Sequence, residues 1–239
     1  MAKIFIDSSY GTTGLRIHQR LQSRTDLELI SIPYEERHSE SARRKDGSTV
    51  SGNQRYRNYR SDTPGGQCFS ITGYSGGGKK MIGEYESDCR DALMDAPRMY
   101  GLSQQHKHLP EITALNGLEC APIFCPIVSD FYCGMETIIP LFGSDIHGTM
   151  EDIRNAYREF YTGPLVYYKE DADENGFVSA NTMSGRDDME LSLYGNSERL
   201  LLVARFDNLG KGASGSAIQN LNLMMGVPET TGLVLGGER

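Results

Sequence analysis

Between His38 and Gln67 the chain carries thirty residues with a single large aliphatic side chain, Val50. Six basic residues (Arg43, Arg44, Lys45, Arg55, Arg57 and Arg60) stand there against three acids (Glu40, Asp46 and Asp62). A segment of this kind cannot bury enough apolar surface to offset the entropy of ordering it. It reads as a disordered junction over 38–67; a basic nucleic-acid arm and a loop ordered only by a partner are the alternatives. Folded structure must therefore come from a short piece before it and a longer piece after it. Each piece carries a glycine loop, Gly11-Thr-Thr-Gly14 and Gly73-Tyr-Ser-Gly-Gly-Gly-Lys-Lys80, and only fifty-nine steps separate Gly14 from Gly73.

At 239 residues the chain can form one large domain or two small ones with a sizeable core. Its 38% hydrophobic and 23% charged content is that of a soluble globular protein. A net charge of −8 argues against a nucleic-acid partner held by bulk electrostatics. No apolar run approaches the roughly 20 residues that span a bilayer, so no membrane partner is expected. The first residues, Met1 to Asp7, turn polar too early for a signal peptide. Cys68, Cys89, Cys120, Cys125 and Cys133 are odd in number and widely spaced, which fits reduced thiols better than a disulfide framework or a zinc site. The expected location is cytoplasmic and no metal is expected.

Hydrophobic patterning places a buried strand at residues 3–7, a short helix at Leu15 to Leu21 and a second strand at Leu27 to Ile32, ending before Pro33. That is the start of a βαβ unit. Later come a strand at Cys68 to Thr72, neighbouring strands at 122–128 and 131–142 around Ser129-Asp130, and strands at 165–169 and 200–205. Met150 to Tyr161 spaces Ile153, Ala156, Tyr157 and Phe160 as a helix, with Thr149 as N-cap. Gly212 to Met225 reads as an amphipathic helix rich in small residues. Several strands between two helices imply a mostly antiparallel sheet covered on one face.

Four stretches carry possible chemistry. Gly11 to Gly14, between a strand and a helix, could offer backbone N–H groups to a pyrophosphate, or be a plain glycine turn. Glu35, Glu36 and Arg37 fall where a ribose-reading residue would lie, and their mixture does not separate NAD from NADP. Gly73 to Lys80 lacks Walker spacing, so it is an anion-approaching backbone or a flexible loop. In His106-Lys-His-Leu-Pro-Glu111 the two imidazoles at i and i+2 do not share a helix face, leaving one histidine as acid/base or a surface pair. In Arg205 to Gly226, core packing accounts for Ile218, Leu221 and Met225 but not for Asn208, Lys211, Gln219 and Asn220.

Taken together these four motifs resemble N-acetyl-γ-glutamyl-phosphate reductase of arginine biosynthesis, in its short bacterial class. The resemblance covers residues 1 to about 36 and about 70 to 227, in the family's order. It implies an α/β plus α+β chain. Residues 1–37 would begin a truncated Rossmann-like NADP-binding part, 68–227 would form a mostly antiparallel catalytic and dimerisation domain of the semialdehyde-dehydrogenase type, and 228–239 would be a tail. It implies an NADPH-dependent reduction of an acyl phosphate to a semialdehyde by a homo-oligomer. It further implies that Gly11, Thr12, Thr13 and Gly14 hold cofactor phosphates, that Ser75, Gly76 and Gly77 close on the cofactor, and that Asn220 lies near the nicotinamide. His108 best matches the acid/base, with His106 second.

The family's nucleophile, in an Asn-Pro-Gly-Cys-Tyr-type turn upstream of the second loop, has no match here. Cys68 stands as the substitute thiol, or as a buried strand cysteine. Fifty-nine residues do not accommodate several βαβ units of about thirty residues each. The first strand is therefore expected to lack parallel neighbours, and a non-catalytic remnant keeping only oligomeric or regulatory contacts is the alternative function.

Overall fold

A computed structural model of the chain describes residues 2–6, 12–30 and 66–236. Nearly all of the polar junction lies outside the described residues, as do Gly11 and the ribose-reading trio Glu35 to Arg37.

The N-terminal piece is β1 (Ala2–Phe5), α1 (Thr12–Leu21) and β2 (Leu27–Ile30). The two strands pair in parallel, Ala2 opposite Leu27 and Phe5 opposite Ile30. So β1 does have a parallel neighbour, contrary to expectation. The helix begins at Thr12, three residues ahead of the apolar pattern, because its first turn is built from Thr12, Thr13 and Gly14.

The remainder runs β3 (Gln67–Gly73), α2 (Gly78–Tyr85), β4 (Arg98–Met99), α3 (Leu109–Asn116), β5 (Ile123–Ser129), β6 (Met135–Phe142), α4 (Met150–Phe160), β7 (Val166–Tyr168), β8 (Met189–Gly195), β9 (Arg199–Phe206) and α5 (Gly215–Met225). Seven strands form one sheet in the order β4-β5-β3-β6-β9-β8-β7. Two of its pairings, β3 with β5 and β7 with β8, are parallel and the other four antiparallel. The expected pairing of the strands around Ser129-Asp130 does not form. β3 inserts between them, parallel to β5 and antiparallel to β6. This places the end of β3 directly beside the bend that joins its two neighbours.

Capping starts α4 as expected: Thr149 Oγ1 accepts from Asp152 N at 3.2 Å while Thr149 N donates to Asp152 Oδ2 at 2.7 Å. Ile153 packs with Leu193 and Leu200, and Tyr157 lies against them. Phe160 is left exposed despite its helical spacing. β8 is not among the expected strands, although Met189 to Leu193 alternates apolar and polar residues, and the structure buries its polar Glu190 and Ser192 as well. Glu190 is held inside by Arg205 of β9, whose Nη2 donates to Glu190 Oε1 at 2.6 Å.

Among the described residues the N-terminal piece has no core of its own. Ile6, Leu21 and Leu27 form a cluster with Ile218 and Leu221 of α5, and Leu233 packs against it. The cover for β1 thus comes from the far end of the chain. Part of the expected tail is structural as well: Val234 N donates to Asp187 Oδ2 at 2.8 Å and Gly236 N to Asp188 Oδ2 at 3.3 Å. No helix among the described residues is long and apolar enough to cross a membrane.

Candidate functional site

The second glycine loop leaves the end of β3 as a tight turn, Tyr74–Gly77, that runs into α2. The bend between β5 and β6 clasps it. Gly73 N donates to Gly134 O at 3.0 Å, Tyr74 N to Phe131 O at 2.9 Å and Ser75 N to Tyr132 O at 3.0 Å. A Cβ at Gly73 would sit 2.6 Å from Tyr132 O, so only glycine allows this approach. Tyr74 stacks on Tyr85 with ring centroids 4.7 Å apart, anchoring the turn to α2. Ser75 is buried, whereas Gly76 and Gly77 are exposed, and Gly78 has φ +75° with open space beside it. The turn therefore presents bare backbone to solvent.

Immediately after β9, Asp207 and Asn208 meet this loop. Asn208 Nδ2 donates to Ser75 Oγ at 3.0 Å, and Asn208 Oδ1 accepts from Gly134 N at 2.9 Å. Asp207 is completely buried. Its Oδ1 accepts from Leu209 N at 2.7 Å and Gly210 N at 2.6 Å, and its Oδ2 from Gly185 N at 2.5 Å. Arg16 of α1 reaches the same carboxylate, Nη1 to Oδ1, at 3.3 Å. One turn further along α1, Arg20 Nη1 donates to buried Asp187 Oδ1 at 2.5 Å, and beyond the helix Arg24 Nη1 donates to Asn222 Oδ1 at 2.9 Å. A row of arginines spaced four apart thus seats the first helix on the sheet domain.

The expected helix from Gly212 opens instead with a π turn, Gly210–Ser214, before α5. Its glycines are contact points. A Cβ at Gly212 would lie 3.1 Å from the Phe206 ring, and one at Gly215 would lie 2.9 Å from Gly210 O. Within this turn Lys211 is buried, and Nζ donates to Gln219 Oε1 at 2.6 Å. Gln219 Nε2 in turn donates to Glu229 Oε2 at 2.9 Å. Burial lowers the Lys211 amine to about 8, against the opposing pull of Glu229, Asp187 and Asp188.

Other residues named from the sequence lie apart from this junction. Cys68 sits near the start of β3, five residues before Gly73, or about 17 Å along an extended strand. Burial pushes its thiol up to about 11, the reverse of an activated thiolate. Burial also raises Cys133, which has Asp207 beside it. His108 is exposed at the start of α3, its Nδ1 3.7 Å from Glu111 Oε2. His106 lies with its ring 5.1 Å from that of Phe124, the residue opposite Cys68 across the β3–β5 ladder. Burial, with His108 and Lys107 nearby, lowers the His106 imidazole. Both histidines and Cys68 thus belong to the beginning of the parallel pair, and Ser75 to its end. Asn220 is half-buried on α5. Sequence reasoning singled out Asn208, Lys211 and Gln219 as unexplained by packing, but missed Asp207 and Arg16, whose pairing spans 191 residues.

As a receptor for a dinucleotide, the junction has suitable parts. The first turn of α1 carries no acid, Gly14 is buried against the fold, and the backbone at 76–78 carries no side chains.

Two comparisons identify the lineage. The family model of the semialdehyde dehydrogenase dimerisation domain matches residues 61–208. N-acetyl-gamma-glutamyl-phosphate reductase of Rhizobium meliloti (strain 1021) is 32% identical over 307 aligned positions, which take in 93% of this chain and 98% of the relative. The chain belongs to the N-acetyl-γ-glutamyl-phosphate reductase family. N-acetyl-gamma-glutamyl-phosphate reductase 2 of Nostoc sp. is a further family member, 31% identical over 97% of this chain and 99% of its own. The 307-position alignment is longer than the chain's 239 residues, so the Rhizobium protein has residues with no counterpart here. Among solved structures, aspartate semialdehyde dehydrogenase II of Vibrio cholerae shares the fold. Its TM-score is 0.50 at 13% identity, over 66% of this chain and 54% of that one. In this reductase-family chain the sheet of the dimerisation-domain match is joined to the N-terminal piece of β1, α1 and β2.

Proposed function

We propose that the chain binds NADPH between α1 and the Ser75–Gly77 turn and serves the reduction of N-acetyl-γ-glutamyl phosphate to its semialdehyde, a step of arginine biosynthesis, in the cytoplasm. The relatives' names supply the reaction. The observation that carries it on this chain is the Asp207–Asn208 dipeptide, which contacts both α1 and the glycine turn.

In this reading Gly11, Thr12, Thr13 and Gly14 hold the cofactor phosphates, with Thr12, Thr13 and Gly14 offering the N-terminal amides of α1. Ser75, Gly76 and Gly77 close on the cofactor from the sheet domain, and Asn220 lies beside its nicotinamide. Bound NADPH supplies the hydride. A thiol must displace phosphate first, forming the thioester that is reduced. Cys68 is the proposed thiol and His108 the proposed acid/base. The Semialdehyde dehydrogenase, dimerisation domain, match supports assembly as a homo-oligomer through the sheet domain.

One observation favours a second reading. Burial keeps the Cys68 thiol protonated, and the strand places it well away from Ser75. A chain in this state would keep the cofactor and oligomer contacts of the family without turnover. NADPH oxidation with the acyl phosphate, run beside a calorimetric NADPH titration, separates the readings. Turnover that disappears in Cys68→Ser supports the first; NADPH binding without turnover supports the second. Absence of both overturns the site. A parallel NADH titration tests the choice of NADPH.

A further inference from the structure

We infer that Asp207 and Asn208 are positioning residues that hold α1 and the Ser75–Gly78 backbone in one register; the consequence for NADPH rests on the cofactor reading above. Their side chains leave adjacent positions of one chain segment and engage different partners. The Asp207 carboxylate takes three backbone N–H groups, from Gly185, Leu209 and Gly210, together with the guanidinium of Arg16. It is completely buried, so it cannot rotate without stranding those donors. The Asn208 amide uses both ends, accepting from Gly134 N and donating to Ser75 Oγ.

The turn that Asn208 holds is clasped at Gly73 to Ser75 by the bend between β5 and β6, and it is the backbone after Ser75 that has little support. Gly76 and Gly77 are exposed, and Gly78 takes φ +75° with nothing packed beside it. At the other end, α1 has no core except the one it shares with α5. α1 is also seated by Arg20 and Arg24, and the start of the turn by the bend between β5 and β6, but Asp207 and Asn208 are adjacent side chains that contact both elements at once. One dipeptide at the end of β9 thereby links the two halves of the proposed binding surface.

The test uses the full chain with Arg16→Met, Arg16→Lys, Asn208→Ala and the Arg16→Met/Asn208→Ala double variant. Amide hydrogen exchange without cofactor reads the coupling itself. Arg16→Met is expected to speed exchange at Gly76 to Gly78, across the junction from the substitution, with Arg16→Lys restoring most of the protection. Exchange that quickens only in α1, or uniformly over the chain, overturns the inference. NADPH titration then reads the consequence. Each single substitution should weaken binding about tenfold, and the double variant hardly more than either single, because the register is lost once. Multiplicative losses would mean two independent structural supports and would also overturn it. Should the wild type bind no NADPH, the cofactor reading fails, while the exchange experiment still decides the coupling by itself.

Discussion

Arg20 Nη1 lies 2.5 Å from Asp187 Oδ1, joining the first helix to the sheet domain across 167 residues with the carboxylate wholly buried. The second Asp187 oxygen accepts Val234 N, so one side chain ties together the beginning, the middle and the end of the chain.

Arg20→Met should therefore be costly, because it leaves Asp187 charged and buried with only a backbone donor. The expected loss is about 3 kcal/mol, as for other broken buried pairs. Urea unfolding should show a lower midpoint at unchanged slope. The double variant Arg20→Met/Asp187→Asn should recover part of that loss, since Asn can still accept from Val234 N.

Lys211 gives the protein a distinctive alkaline behaviour. Its folded-state value of about 8 lies below the ordinary 10.5, so between these values the unfolded chain binds more protons at this residue. The penalty of burying the charge is complete below about pH 8 and is lifted as pH rises toward 10.5. Against Lys211→Met, the wild type should gain about 3 kcal/mol across that window. Thermal or urea unfolding of the two proteins at matched pH values checks the sign, and a flat difference would remove the burial argument. Cys68, raised to about 11, acts in the opposite sense above pH 9 in both proteins and cancels in the comparison.

Two glycine-to-alanine substitutions should move stability in opposite directions. At Gly215 the new Cβ would press on Asp187 Oδ1 and lie 2.9 Å from Gly210 O, so Gly215→Ala should cost about 2 kcal/mol. At Gly83, inside α2, nothing lies within 4 Å, and Gly83→Ala should stabilise by about 1 kcal/mol through helix propensity alone. Denaturation midpoints compare the pair directly.

Thiol labelling should follow burial. With iodoacetamide at neutral pH, exposed Cys89 and Cys120 should alkylate first and Cys68 last. Peptide mass spectrometry over time gives the order. Early labelling of Cys68 would show that its thiol is both reachable and ionised, which would favour a nucleophilic role.

The helix at Met150–Phe160, the Thr149 cap and most strands were legible in the sequence, because each follows from a local period or from a cap at fixed offset. β8 was not named, although Met189-Glu-Leu-Ser-Leu193 alternates apolar and polar residues; what the pattern hides is that the polar Glu190 and Ser192 are buried too. The charge of Glu190 is met by Arg205 on the neighbouring strand and by Lys169, contacts that no local pattern encodes. The pairing of β3 with both β5 and β6 was hidden for a similar reason. A five-residue connection suggests adjacent strands, and only the whole sheet reveals that a third lies between them.

The two glycine loops and the polar stretch between them are local facts, and the sequence alone determined that any nucleotide-binding unit here must be small. Composition decides that, because thirty residues with one large aliphatic cannot supply a core. Where the first loop goes was decided only in three dimensions. Long-range burial and charge pairing seat α1 on α5, Asp187 and Asp207, so the N-terminal piece takes its core and its position from residues nearly two hundred places away.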